Sequence, residues 1–149
     1  MQAPSRDERE LYYYGLPSRP ELVARSSNHV WYRPPHMPEP SEDDDGDDPL
    51  YPKLLLPAKH PLLMRIWNNE ASFRDQILEA VDKTRLSAID IMRIMQKGES
   101  QNVLMISVKP YTLLWEDGRQ IALQCKAILE SHGVHDVHCE IRESVVRTL

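Results

Sequence analysis

The densest group of side chains able to do chemistry lies near the C-terminus of the 149-residue chain: His132, His135, His138, Cys139 and Glu140. Imidazole, thiolate and carboxylate are zinc ligands, and a zinc site needs three or four of them to converge on a tetrahedron. The spacing works against convergence. His132 falls at the end of a helical stretch, His135 in a turn, and His138 and Cys139 on opposite faces of one strand. His132, His135, His138 and Cys139 therefore count only as weak metal candidates, and no metal is expected. The negative end of a helix dipole gives His132 a simpler role.

Nucleophilic chemistry has little to stand on. Cys125 and Cys139 are the only cysteines, and both fall on apolar faces, where a thiol acts as a small hydrophobe. No Gly-x-Ser-x-Gly elbow, Walker loop or Gly-x-Gly-x-x-Gly pattern occurs. Glu116-Asp117 and Glu140/Glu143 are paired carboxylates only as any charged surface has them. A calcium loop in the acidic tract 38–49 fails on register: with Gly46 as the loop glycine, Ser41 becomes the first ligand and Pro52 replaces the bidentate glutamate. No catalytic residue and no cofactor is expected, and a metal- or thiol-dependent enzyme is the minor alternative.

The remaining candidates are aromatic. Tyr12, Tyr13, Tyr14, Leu16, Trp31 and Tyr32 lie in a segment where Pro17, Pro20, Pro34 and Pro35 stiffen the backbone. Two readings stay open. The aromatics, with Leu22 and Val23, pack on the folded half in cis, or they form a linear motif that docks on a partner.

Eleven of the twelve prolines fall at or before Pro61. Proline fixes φ and removes a donor, so residues 1–59 read as a Pro-rich, partly disordered arm with an acidic linker at 38–49. The core must come from residues 60–146, with 147–149 as a tail. The formal charge of −5 concentrates in the arm, which argues against a basic nucleic-acid-binding face. No apolar run is long enough to span a membrane, and the N-terminus lacks the apolar stretch of a secretory signal. With two cysteines that read as reduced thiols, a cytoplasmic location is expected.

Residues 102–109 form a short apolar run stopped by Pro110. Residues 116–132 switch to helical spacing, with Ile121, Ala122, Cys125, Ile128 and Leu129 on one face and Gly133 closing the helix. Residues 137–142 alternate apolar and polar. Run, helical period and alternation together predict a βαβ unit. Upstream, Pro61 opens a helix; the apolar patches Leu62–Trp67 and Phe73–Val81 leave one bent helix or two. Residues 88–95 predict a strand that pairs with 102–108 in a hairpin. Thr112 or Asp117 caps the crossover helix. The sum is an α+β, ferredoxin-like domain in the order α-β-β-α-β, with a three-stranded sheet and helices on one face.

Three blocks extend this reading: Tyr13 to Ser26 with Trp31, His60 to Ile94 with Trp67, and Glu140 to Val146. They resemble the N-terminal region of a group of uncharacterised fungal proteins, many of which continue into a domain similar to trypsin-like proteases. The protease-like part would begin after Leu149, so the resemblance carries over no catalytic residue and implies an N-terminal accessory module. The expected role is non-enzymatic protein interaction or regulation, through the Tyr/Pro-rich arm or the sheet edge. The partner would be another protein, a second copy in a homodimer, or the chain's own downstream domain, for which the module would act as a pro-region or foldase.

Overall fold

A computed structural model describes residues 3–16, 20–28, 31, 53–81, 86–96 and 99–143. Tyr32, the acidic tract and the tail lie outside them.

The elements run α1 (Arg6–Leu11), β1 (Glu21–Arg25), β2 (Leu54–Pro57), α2 (Pro61–Asn69), α3 (Ala71–Ala80), β3 (Leu86–Gln96), β4 (Glu99–Val108), α4 (Trp115–Ser131) and β5 (His138–Glu143). The architecture is α+β, but the sheet corrects the expectation of three strands in a ferredoxin-like order. It has five, in the order β1-β5-β4-β3-β2. The βαβ unit is present, with β4 and β5 parallel and Leu104 opposite Cys139. The hairpin is present too, as β3 antiparallel to β4. What was missed comes from the arm: β1 pairs antiparallel with β5, and β2 with β3. Both are edge strands, where proline is tolerated because one side of the backbone needs no partner, and Pro57 sits in such a strand. Residues 6–11, at the start of the arm expected to be partly disordered, form α1. Ser5 caps it by accepting the Glu8 amide at 3.1 Å.

Local chemistry explains the other boundaries. At α2, Pro61 occupies the first turn and His60 Nδ1 accepts the Leu63 amide at 3.1 Å. Glu70, extended at φ −112°, ψ 95°, separates α2 from α3, so two helices form; Ser72 does not cap the second. Neither Thr112 nor Asp117 caps α4, whose N-cap is Leu114 without a side-chain bond. At its end Gly133 takes φ +85°. The Gly133 amide donates to the Glu130 carbonyl and the Val134 amide to that of Leu129, both at 3.0 Å. That is a Schellman closure.

One face of the sheet carries Leu104, Ile106, Cys139 and Ile141 against Leu63, Ile66, Phe73, Ile77, Ala122, Cys125 and Leu129 of the helices. Gly118 lets α4 come close to β1: a Cβ there would lie 3.1 Å from Val23 Cγ1 and 3.2 Å from Ala24 Cβ. The opposite face is covered as well. Val103, Met105, Ile94 and Leu22 pack under Tyr12, Tyr13 and Leu16 of the turn that follows α1. A central strand buried on both sides reads as a continuous apolar run, which is the pattern of Val103 to Ile106.

Candidate functional site

The structure separates the metal candidates. His132 sits at the C-cap of α4, its ring edge-on to Phe73 at 5.0 Å, with Nε2 3.0 Å from Gln76 and Nδ1 3.4 Å from Glu70. His135 is exposed in the loop before β5. His138 and Cys139 point to opposite faces of β5. Cys139 meets Cys125 in the core, and the contact with Cys125 and burial raise its thiol well above the usual range. Among the described residues no three His, Cys, Asp or Glu gather closely enough to hold a metal ion.

Of the aromatic candidates, Tyr12, Tyr13 and Leu16 are buried; Tyr12 is 3% exposed. Trp31 packs partly against the same cluster. Tyr14 stays 42% exposed. Three of the proposed anchors are thus occupied within the chain.

Those two tyrosines instead build a polar site on the sheet. Their rings meet edge to face at 5.0 Å, and both hydroxyls donate to Glu140, Tyr13 at 2.8 Å to Oε1 and Tyr12 at 3.1 Å to Oε2. Glu140 is 5% exposed. A carboxylate can sit there because each oxygen has a donor replacing water. The pairing is local on one side only: Glu140 lies in β5, 127 and 128 residues from its partners.

Lys53 completes the site. Its amide donates to the Tyr14 carbonyl at 2.7 Å, which ties the start of β2 to the arm. Its Nζ sits 3.5 Å from the centre of the Tyr12 ring and 5.4 Å from that of Tyr13. Arg25 also lies by the Tyr12 ring, 5.4 Å from its centre, and pairs with Glu8 at 3.0 Å. Around these groups opens a cavity of about 280 Å³ lined by Tyr12, Lys53, Ile94, Gln96, Glu99, Gln101, Val103 and Glu140.

The electrostatics follow from burial. Removal from water disfavours a charged amine, and the Lys53 ammonium is lowered to about 8 despite the opposing pull of Glu140; Arg25 adds to the lowering. Burial and the negative field of Glu140 both push the Tyr12 and Tyr13 hydroxyls upward. At neutral pH the site therefore holds two neutral phenols on a hydrogen-bonded carboxylate, beside an amine close to its titration point. Such a set can bind a polar ligand, move a proton or present a nucleophilic nitrogen.

A second pair resembles catalytic machinery. Ser26 Oγ lies 2.8 Å from His138 Nδ1, and burial with repulsion from Lys126 lowers the imidazole. Ser26 Oγ also accepts the Cys139 amide at 2.9 Å, and the residue is buried. Ser26 and His138 thereby tie the end of β1 to β5.

Reasoning from sequence missed Lys53, Gln96, Glu99 and Gln101 as site residues and read Glu140 as a solvent-facing residue of β5. No local motif marks Lys53. Comparison of the chain with protein-family models, curated proteins and solved structures found no match in any of the three.

Proposed function

We propose that the protein is a non-enzymatic interaction module that captures an extended protein segment along the outer edge of β2. The single observation behind this reading is the contrast between the two sheet edges. β1 also ends the sheet, but α1 and α4 both pack against it, and Arg119 donates to the carbonyls of Arg25, its last residue, and of Ser27 just past it. Among the described residues nothing pairs with the outer edge of β2, whose Leu54 is 49% exposed. Lys53, the neighbour of Leu54, lines the cavity. An added strand would gain main-chain hydrogen bonds from the edge and place one side chain at the cavity mouth, which supplies selectivity. Tyr12 then serves as part of the wall of the site, Tyr13 stays buried, and neither is an anchor. No helix among the described residues is long and apolar enough to cross a membrane.

The test is a selection of displayed random peptides on the intact protein, followed by backbone amide chemical-shift mapping. Selected peptides should perturb Leu54 to Leu56. Leu54→Lys, a charge placed on the edge, should weaken them by about tenfold or more. Shifts confined to the β1 side, or an unchanged affinity in Leu54→Lys, would sink the reading.

A further inference from the structure

The cavity holds an amine, a carboxylate and a phenol in one partly buried volume, and edge docking uses none of that chemistry. We propose that Lys53 is a covalent capture site for small neutral carbonyl compounds, its amine condensing with an aldehyde or ketone held in the cavity. The inference is independent of the edge-docking reading.

The geometry supplies each part. Nζ lies over the Tyr12 ring at 3.5 Å, so the nitrogen is held at the cavity wall. Among the described lysines the others are engaged differently. Lys59 and Lys109 are exposed, and Lys126 Nζ donates to the His135 and Val137 carbonyls at 2.9 and 2.7 Å. Ile94 and Val103 offer an apolar floor, and Gln101 stands on the polar part of the lining. Glu99 and Glu140 on the same wall would repel an anionic oxo acid, which restricts the ligand to neutral aldehydes and ketones. The volume of about 280 Å³ sits at the small end of ligand sites.

The chemistry balances without a further reagent. The free amine attacks the carbonyl carbon, a C–N bond forms, and one of the two nitrogen protons passes to the carbonyl oxygen, which becomes a hydroxyl. Glu140 takes the second proton from nitrogen and delivers it to the departing hydroxyl. The C–O bond then breaks, the C=N bond forms, and one water leaves. The Tyr12 and Tyr13 hydroxyls hold the carboxylate in place throughout. The charged and titratable groups facing Nζ are Glu140 from β5, Arg25 from β1, Glu99 from β4 and the two tyrosines. Lowered to about 8, the amine is about one-tenth free base at pH 7, against about one part in three thousand for an ordinary lysine.

The experiment is reductive trapping of the folded full chain with isobutyraldehyde and cyanoborohydride, read by peptide-resolved mass spectrometry. The chain's α-amino group titrates near the same pH and serves as an internal reference. Lys53 should be alkylated at least about tenfold faster than Lys59 and Lys109, and its rate should saturate with aldehyde. Glu140→Gln should slow Lys53 alone, while Lys53→Met should leave the other sites unchanged. Lys53 labelling no faster than that of the exposed lysines, or linear over the whole concentration range, overturns the proposal. Because the readout needs no peptide partner, its failure is distinct from a failure of edge docking.

Discussion

Both faces of the sheet carry buried residues, and the two are built from different materials. Under α2, α3 and α4 the contacts are apolar throughout, from Leu104, Ile106 and Ile141 to Phe73, Ile77 and Leu129. Under the arm, the apolar residues Val103, Met105 and Leu22 share the space with Glu140, Arg25 and two tyrosine hydroxyls. Apolar burial stabilises by about 25 cal/mol per Å². Buried charge opposes folding unless every lone pair and proton finds a partner. The helix face thus carries the stability. The arm face gives some up, and keeps polar groups on the wall of a cavity.

That contrast can be broken most directly at Phe73. It is fully buried and touches Trp67 at 6.0 Å and His132 at 5.0 Å, edge to face in both cases. Phe73→Ala should cost about 3–5 kcal/mol in urea denaturation, since the lost contacts and the remaining cavity add. A loss below about 1 kcal/mol would mean that the helix face is not close-packed. On the arm face the corresponding probe is Tyr13→Phe, which deletes one hydroxyl and almost no volume. It removes the 2.8 Å bond to Glu140 but leaves the carboxylate its Tyr12 donor, so the expected cost is about 1–3 kcal/mol. The same change should speed local opening of the arm, read as faster amide exchange at Leu22 and Ala24. An unchanged stability would show that the tyrosines rest on the sheet by shape alone.

Much of the helix face was legible in sequence because its signals are local. Gly133 announces the end of α4, Pro61 the start of α2, and the alternation at Val137 to Arg142 the strand β5. The arm face was not, because its partners lie far apart in the chain. Glu140 reads as a solvent-facing position until a tyrosine pair from near the N-terminus covers it. The proline content of residues 1–59 concealed β1 and β2, since edge strands escape the rule that excludes proline from central ones. One clue was available: Val103 to Ile106 is apolar at every position, which a sheet covered on one face does not require. It called for a second cover, and the aromatic arm was the only segment rich enough to provide it. Lys53 had no such clue, because only its folded surroundings distinguish it from Lys59.

The smallest effect separates the faces by their charge. Lys53 titrates at about 8 in the folded protein against an ordinary value of 10.5. Between those values the unfolded chain binds more protons than the folded one, so stability should rise with pH over that window. Below about 8 both states are protonated, and the cost of holding the ammonium near the sheet is constant. Tyr12 and Tyr13 act in the opposite sense, because their folded hydroxyls are pushed up, but only where unfolded tyrosine ionises, near pH 10. The clean interval is therefore pH 8 to 9.5. Across it the wild type should gain about 1.5 kcal/mol relative to Lys53→Met, whose side chain fills the same space without charge. Parallel curves for the two proteins would place Nζ in water. The amine would then have the pKa of any surface lysine, and the arm face would differ from the helix face in its tyrosines, Arg25 and Glu140.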